Sequence, residues 1–118
     1  MEMTTGIDIT EVRRLRRSIE KLGDAFLNKV FTRTELADSK KRASPLHYLT
    51  GRFAAKEAVY KAIGDTGLGW KDICVLNDAS GRPYCRLLKG KGKGRNVRIS
   101  ISHVKDYAFA AALVVSQR

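Results

Sequence analysis

Between Arg52 and Gly64 the chain writes a helix with two unlike halves, and no other feature restricts its fold as much. At about 100° per residue, Ala54, Ala55, Ala58, Val59 and Ala62 fill one half of the wheel. Arg52, Phe53, Lys56, Glu57, Tyr60 and Lys61 take the other, with Ile63 among them. A half made of alanines seats closely only on a partner that is equally slim. Residues 107–115 supply one: they are apolar on both faces, as in an interior strand, and Ala108, Ala110, Ala112 and Val114 line one face. The helix is therefore expected to pack on that strand, which leaves its other half to look into solvent or a site.

The boundaries of this helix are marked. Ser44-Pro45 is a start signal with Pro at the first helical position, and Gly64 a stop. Gly51 inside the run allows two helices instead of one. Upstream, residues 5–10 (TGIDIT) alternate, with Ile7 and Ile9 on one side and Asp8 and Thr10 on the other, as in a half-buried strand. Thr10 is placed to cap a helix carrying Val12, Leu15, Ile19 and Leu22 at helical spacing, with Gly23 as its stop. Arg13, Arg14, Arg17 and Lys21 lie on its outer face. Thr32-x-x-Glu35 reads as a capping box opening a short helix that ends in Lys40-Lys41-Arg42.

Beyond Gly64 the period changes. Asp72–Asn77 and Tyr84–Leu88 read as two strands around the turn Ala79-Ser80-Gly81-Arg82-Pro83. Val97, Ile99 and Ile101 then alternate with Arg98, Ser100 and Ser102. The segment Lys89-Gly90-Lys91-Gly92-Lys93-Gly94-Arg95 suits a mobile solvated loop, either a solubilising hairpin tip or a positive rim beside an anion site. No repeat or long linker interrupts the 118 residues, so a single domain over 1–118 is expected.

Charge narrows the partners. There are 23 Lys and Arg against 12 Asp and Glu, a formal net charge of +11, which points to nucleic acid, a membrane surface, a phosphorylated small molecule or an acidic protein. No apolar run is long enough to span a membrane, and MEMTTGIDIT lacks a signal core. Cys74 and Cys85 have no metal-ligand spacing, so neither a zinc site nor a disulfide framework is expected, and a reducing cytosol is the simpler setting.

The chemistry-bearing residues sit on the two-faced helix and the first strand. Arg52 and Lys56 lie one turn apart, as do Glu57 and Lys61; an exposed Glu57–Lys61 pair stabilises a helix by only about 0.2–0.5 kcal/mol. Asp8 stands beside Gly6, where another backbone can approach. Two carboxylates from separate elements, ringed by Lys and Arg, suit a hard divalent cation. Mg²⁺ takes one or two protein carboxylates and completes its shell with water and substrate phosphates.

Three segments in order carry a resemblance: Gly6-Ile7-Asp8-Ile9, then Gly51-Arg52-Phe53-Ala54-Ala55-Lys56-Glu57-Ala58 with Lys61-Ala62-Ile63-Gly64, then Ser100-Ile101-Ser102-His103. Together they resemble the small bacterial type of the 4′-phosphopantetheinyl transferase superfamily, the holo-[acyl-carrier-protein] synthases, over nearly the whole chain. The resemblance implies an α+β fold, a mostly antiparallel sheet packed against a long central helix. It implies Mg²⁺-dependent transfer of 4′-phosphopantetheine from coenzyme A to a serine of apo acyl carrier protein, with adenosine 3′,5′-bisphosphate as the other product, in fatty acid biosynthesis in the cytoplasm. Asp8 and Glu57 are carried over as metal ligands and, with Lys61, as the catalytic set. Lys56 and Lys61 fall on phosphate-neutralising positions with Arg52 nearby, and Gly64, Ser102 and His103 on positions lining the coenzyme A pocket. Arg14, flanked by Arg13 and Arg17, matches the basic helix that docks the acidic carrier protein. A homotrimer with active sites between subunits is implied. The Lys89–Arg95 loop is more basic than the family pattern.

Attack of a serine oxygen on the β-phosphorus builds negative charge on the transferring and leaving groups, which a metal and fixed lysines stabilise. Glu57, directly or through a water, and a water held by Asp8 are the alternatives for the base. The rival of another class is a small basic nucleic-acid-binding domain. It calls for aromatics interleaved with basic residues, whereas the four Phe, four Tyr and one Trp fall mostly in apolar positions, and it leaves Asp8 and Glu57 unexplained. His47 reads as a surface residue, Trp70 as a core or loop anchor, and Lys40–Arg42 as a solvated helix end or a contact for the 3′-phosphate of coenzyme A.

Overall fold

The two-faced helix is a single rod. In the computed structural model, which describes residues 1–117, it runs Pro45–Ile63 without a break. The Ser44 hydroxyl accepts from the His47 amide at its start, and Gly64 ends it. In chain order the elements are β1 (Glu2–Glu11), α1 (Val12–Leu22), α2 (Asp24–Val30), α3 (Arg33–Ser39), the rod as α4, then β2 (Ile73–Asn77), β3 (Pro83–Leu87), β4 (Arg95–His103) and β5 (Tyr107–Ser116), with a single 3-10 turn at Trp70–Asp72. No described helix is long and apolar enough to cross a membrane.

The strands form a three-stranded antiparallel sheet in the order β1-β5-β4 and a separate β2-β3 hairpin. This is the expected α+β arrangement, with β5 interior. The alanine half of α4 lies on the sheet as expected: Ala54, Ala55, Ala58, Val59 and Ala62 are buried with Ala108, Ala110, Ala112 and Val114. Two glycines set how close the layers come. A Cβ on Gly6 would lie 2.0 Å from the carbonyl oxygen of Ala58, so β1 touches the helix backbone itself. A Cβ on Gly51 would meet the His103 imidazole at 2.4 Å and Ile101 at 3.2 Å. The glycine that left room for a break in the helix is there for contact with β4. A second cluster, Leu15, Val30, Phe31, Leu49 and Phe53, joins the short helices to the first half of α4.

Several expectations are corrected. The alternation on β1 holds, yet the helix covers Gly6, Asp8 and Thr10, and Ile7 and Ile9 remain 69% and 59% exposed. The close approach requires a side chain no larger than hydrogen at position 6, and that selects the buried face. Thr10 caps nothing: the N-cap of α1 is Glu11 without a side-chain bond, and the Thr10 hydroxyl donates to Asp8 instead. The capping box of α3 is present, but the helix stops at Ser39, short of Lys40–Arg42. Helix α2, seven residues long, has no counterpart in the sequence reading. The basic loop is a succession of hydrogen-bonded turns rather than a loose tip, with Lys91 donating to Leu88, Lys93 to Gly90 and Arg95 to Gly92 through their amides.

Candidate active site

Strand β1 enters with Asp8 on its covered side, opposite Ala110 of β5. The Thr10 hydroxyl donates to Asp8 Oδ2. From α4, Lys61 Nζ donates to the Ile7 carbonyl at 3.0 Å and lies 3.4 Å from Asp8 Oδ1. One turn earlier on the same helix stands Glu57, half-buried. Burial pushes its carboxyl above the usual carboxylate range, the negative charge of Asp8 pushes it further, and Lys61 and Arg14 pull the other way. The simple Glu57–Lys61 ion pair does not form: Lys61 spends its charge on Asp8.

Asp8 and Glu57 are the residues of this site that could hold a hard cation. Two carboxylates on rigid elements repel each other, and a divalent cation would relieve both. Among the described residues no group of three or more His, Cys, Asp and Glu side chains gathers anywhere, so an all-protein cage is absent. Two carboxylates with the remaining positions left to water and phosphate oxygens match Mg²⁺.

A cavity of about 250 Å³ opens beside Glu57, lined by Lys56, Tyr60, Leu68, Gly69, Trp70 and Ile73 as well. Trp70 anchors as expected by stacking on Phe53, ring centroids 5.1 Å apart, and it also walls the cavity. Arg14 of α1 lies 5.5 Å over the other member of that stack, Phe53, which brings it into the electrostatic reach of Glu57. Arg13 and Arg17 are exposed on the same helix, Arg13 3.8 Å from Glu11. Tyr60 and Trp70 are lining residues the sequence reading did not include. The i+3 spacing of Tyr60 from Glu57 is a signal that places it there.

Lys56 requires a correction. The helix half expected to face solvent or a site is divided, and Lys56 is 0% exposed. Its ammonium lies 2.7 Å from Glu35 Oε1 and donates to the carbonyls of Val30 at 2.9 Å and Trp70 at 3.0 Å. All three donors are engaged, and none is presented to a phosphate. Glu35, also 0% exposed, accepts from the amides of Thr32 at 2.8 Å and Val75 at 2.7 Å. Burial draws Lys56 below the ordinary lysine value while Glu35 opposes the shift. The capping-box glutamate therefore does two jobs, capping the start of α3 and neutralising the lysine beside Glu57.

Arg52 is buried as well, donating to Asn77 Oδ1 at 2.6 Å with its guanidinium 4.0 Å over the Tyr48 ring. His103, at the end of β4, shares a 3.1 Å hydrogen bond with the His47 carbonyl, and burial draws its imidazole down against that bond. His47 itself is tied to the β4–β5 turn by Nε2 and the Lys105 carbonyl, 2.9 Å apart. Arg52 lies two turns into α4, with His103 against the neighbouring Gly51, and five residues of helix, about 7–8 Å of rise, separate Arg52 from Glu57. Ser102 points to the uncovered side of the sheet, where it borders a shallow hollow with Ile7, Asp8, Ile9 and Phe109. Gly64 lies at the far end of α4. Within one protomer Asp8, Glu57, Lys61 and Arg14 come together; Ser102 borders the hollow that Asp8 also lines, Gly64 follows Lys61 by one turn, and Arg52 and His103 face other partners. Neither cysteine offers a nucleophile, since burial pushes Cys74 up and Cys85 up to about 12.

Comparison with known proteins gives this geometry its class. The family model of the 4′-phosphopantetheinyl transferase superfamily matches residues 4–112. The chain belongs to that superfamily and is an enzyme of its transferase class. A relative from Protochlamydia amoebophila, a holo-[acyl-carrier-protein] synthase, is 45% identical over 94% of this chain and 98% of its own. Among solved structures, the holo-[acyl-carrier-protein] synthase of Neisseria meningitidis superposes with a TM-score of 0.87 at 30% identity, covering 96% of this chain and 98% of that one. The Bacillus anthracis synthase in complex with CoA (3′,5′-ADP) gives 0.82 at 33% identity, covering 98% and 100%.

Proposed function

We propose that the chain transfers 4′-phosphopantetheine from coenzyme A to a serine hydroxyl of apo acyl carrier protein, with Asp8 and Glu57 as the ligands of Mg²⁺. The observation that carries this reading is the bridge of Lys61, one turn after Glu57 on α4, to the Ile7 carbonyl at 3.0 Å and Asp8 Oδ1 at 3.4 Å on β1, which brings the two carboxylates to one place, where Asp8 pushes the Glu57 carboxyl up.

In the reaction the serine oxygen forms a bond to the β-phosphorus. The bond from that phosphorus to the bridging oxygen breaks, its electron pair leaving with adenosine 3′,5′-bisphosphate. Bound Mg²⁺ supplies a Lewis acid that offsets charge on the pyrophosphate oxygens. Lys61 adds a fixed positive charge at the same place and is held there by the Ile7 carbonyl, so no reorganisation is needed as charge develops. The serine proton passes to Glu57, directly or through a water, or to a water held by Asp8. Arg14, with Arg13 and Arg17 beside it, meets the acidic face of the carrier protein and delivers the serine next to Glu57.

Gly64, Ser102 and His103 are assigned to coenzyme A in a homotrimer whose sites lie between subunits, whereas Arg52, expected near the phosphates, is buried against Asn77 and Tyr48 and acts from beneath the site. Support comes from the uncovered sheet face, where Met3, Ile7, Ile9, Tyr107, Phe109 and Leu113 are exposed; an apolar face of this kind marks an interface. The same reading places the enzyme in the cytoplasm and in fatty acid biosynthesis. The nucleic-acid alternative gives no role to a destabilised carboxylate pair.

The test is incubation with coenzyme A, Mg²⁺ and apo acyl carrier protein, followed by intact mass measurement. A gain of one phosphopantetheine is expected, abolished in Asp8→Ala and Glu57→Ala variants that keep their circular dichroism spectrum. No mass gain with the unaltered protein, or near-normal turnover in both variants, would overturn the assignment.

A further inference from the structure

The loop from Lys89 to Arg95 is not absorbed by the reaction as described. It carries Lys89, Lys91, Lys93 and Arg95, and Lys71 is exposed on the segment it touches. Its backbone is built as successive turns, with Lys89, Gly90 and Gly94 at φ of 55°, 75° and 72°, and it is tied to the body of the protein. The Leu88 amide donates to the Asp72 carbonyl at 2.7 Å, and the Gln117 amide to the Gly94 carbonyl at 2.7 Å. Lys91 Nζ donates to the Gly67 carbonyl at 3.3 Å, and Lys89 Nζ lies 3.5 Å from Asp72 Oδ1.

The anchoring segment, residues 67–72, is the one that walls the cavity beside Glu57 through Leu68, Gly69 and Trp70. The basic loop thus lies on the outer side of that wall. Arg14 of α1 reaches the same segment through Phe53, which stacks on Trp70 beneath it. Acidic side chains near the loop are few and largely engaged: Asp72 accepts from the Gly69 amide, Asp65 from the Gly67 amide, and Glu2 borders the loop at the sheet edge.

We infer that Lys89, Lys91 and Lys93 form a second contact surface for the acidic carrier protein, additional to α1. This rests on the proposed transferase function. Charge complementarity selects an acidic protein: the lysines are point charges spread along a turn, the one planar fork, Arg95, is turned onto the Lys91 carbonyl at 3.2 Å, and no aromatic face is offered to a base. Exposed charges of this kind act on encounter and orientation, over about 8 Å at physiological salt. They are tied to residues 67–72, the segment that walls the cavity beside Glu57.

The experiment compares the unaltered protein with Lys93→Glu and with the triple variant Lys89→Ser, Lys91→Ser, Lys93→Ser in steady-state transfer, at low and physiological salt. Lys93 is exposed and its side chain makes no hydrogen bond or ion pair among the described residues, so the single variant keeps the loop's anchoring bonds. The KM for carrier protein is expected to rise about three- to tenfold at low salt, with a smaller difference at physiological salt, and the KM for coenzyme A to hold. An unchanged KM for carrier protein in both variants overturns the inference. So does a rise confined to coenzyme A, which would assign the loop to the nucleotide. So does a duplex oligonucleotide that binds at physiological salt and is lost in the variants. Absence of transfer by the unaltered protein is a separate result: it removes the transferase reading, and the loop's partner with it.

Discussion

Lys61 reaches across from α4 to Asp8 on β1, Nζ 3.4 Å from Oδ1, rather than to Glu57 one turn before it on its own helix. The Ile7 carbonyl decides the matter, since it accepts from the same ammonium at 3.0 Å and pins it over the strand. Glu57 is left half-buried beside a second carboxylate. A surface helix would avoid that arrangement, and a cation site requires it.

Glu57 gives a pH dependence of defined sign. Its carboxyl is raised by burial and by Asp8, so the folded protein binds that proton more tightly than the unfolded chain. Its contribution favours the folded state at pH below the unfolded carboxylate value and is lost as pH rises through the folded value. Near neutrality and without metal, Glu57→Gln should therefore stabilise the protein slightly, by about 0.2–0.5 kcal/mol, the scale of a like-charge surface pair. Mg²⁺ should raise the melting temperature of the unaltered protein and not of Glu57→Gln. The acid limb of the transfer rate should lie above the ordinary carboxylate range, because protonated Glu57 is a poor ligand. Thermal melts with and without Mg²⁺ and a pH–rate profile check all three.

The Glu35–Lys56 pair has a different signature. Both groups are fully buried, so removing one leaves the other's charge without compensation. Glu35→Ala or Lys56→Ala should each cost about 3–5 kcal/mol, while the double replacement Glu35→Leu, Lys56→Met should cost less than either. Urea denaturation of the three variants reads this coupling directly.

The two contact glycines should behave unequally. Gly6→Ala forces a methyl group into the Ala58 carbonyl, which is helix backbone and cannot swing away; a loss of about 3 kcal/mol or more is expected. Gly51→Ala meets chiefly the end of the His103 side chain, which has room to turn, so its cost should be smaller. Denaturation midpoints of the two variants test the order.

Arg14 lies over Phe53 at the edge of the site, and its position predicts a split in kinetic constants. Arg14→Glu should raise the KM for acyl carrier protein much more than that for coenzyme A. Equal effects on both would refute a docking role and point to the phosphate instead.

Much of this site was legible along the chain. The three ordered segments around Asp8, Glu57 and His103 carried the superfamily, and the comparisons agree with it. The alanine half of α4 announced a close partner, and the alternating alanines of β5 matched it. Lys56, expected on the half facing solvent or a site and at a phosphate-neutralising position, is buried instead, because a helical wheel shows which side of a helix a residue occupies, not what covers that side. Its cover comes from Glu35, Val30 and Trp70, and the Thr32–Glu35 capping box by itself explains Glu35 without hinting at a buried lysine. Likewise the alternation on β1 separates Ile7 and Ile9 from Asp8 and Thr10 without saying which side is covered, since burial follows the fit of Gly6 to a helix backbone.

What the amino-acid order alone determined is therefore most of the elements, the bounds of the central helix and the identity of the acid and base groups, because capping, periodicity and side-chain chemistry act over a few residues. The tertiary structure decided which charges neutralise one another and which remain available. Asp8 and Lys61 are brought together by a strand that touches the helix at Gly6, and Glu35 and Lys56 by packing of the short helices. Charge pairing depends on distances between segments far apart in the chain, and those distances exist only once the layers have closed.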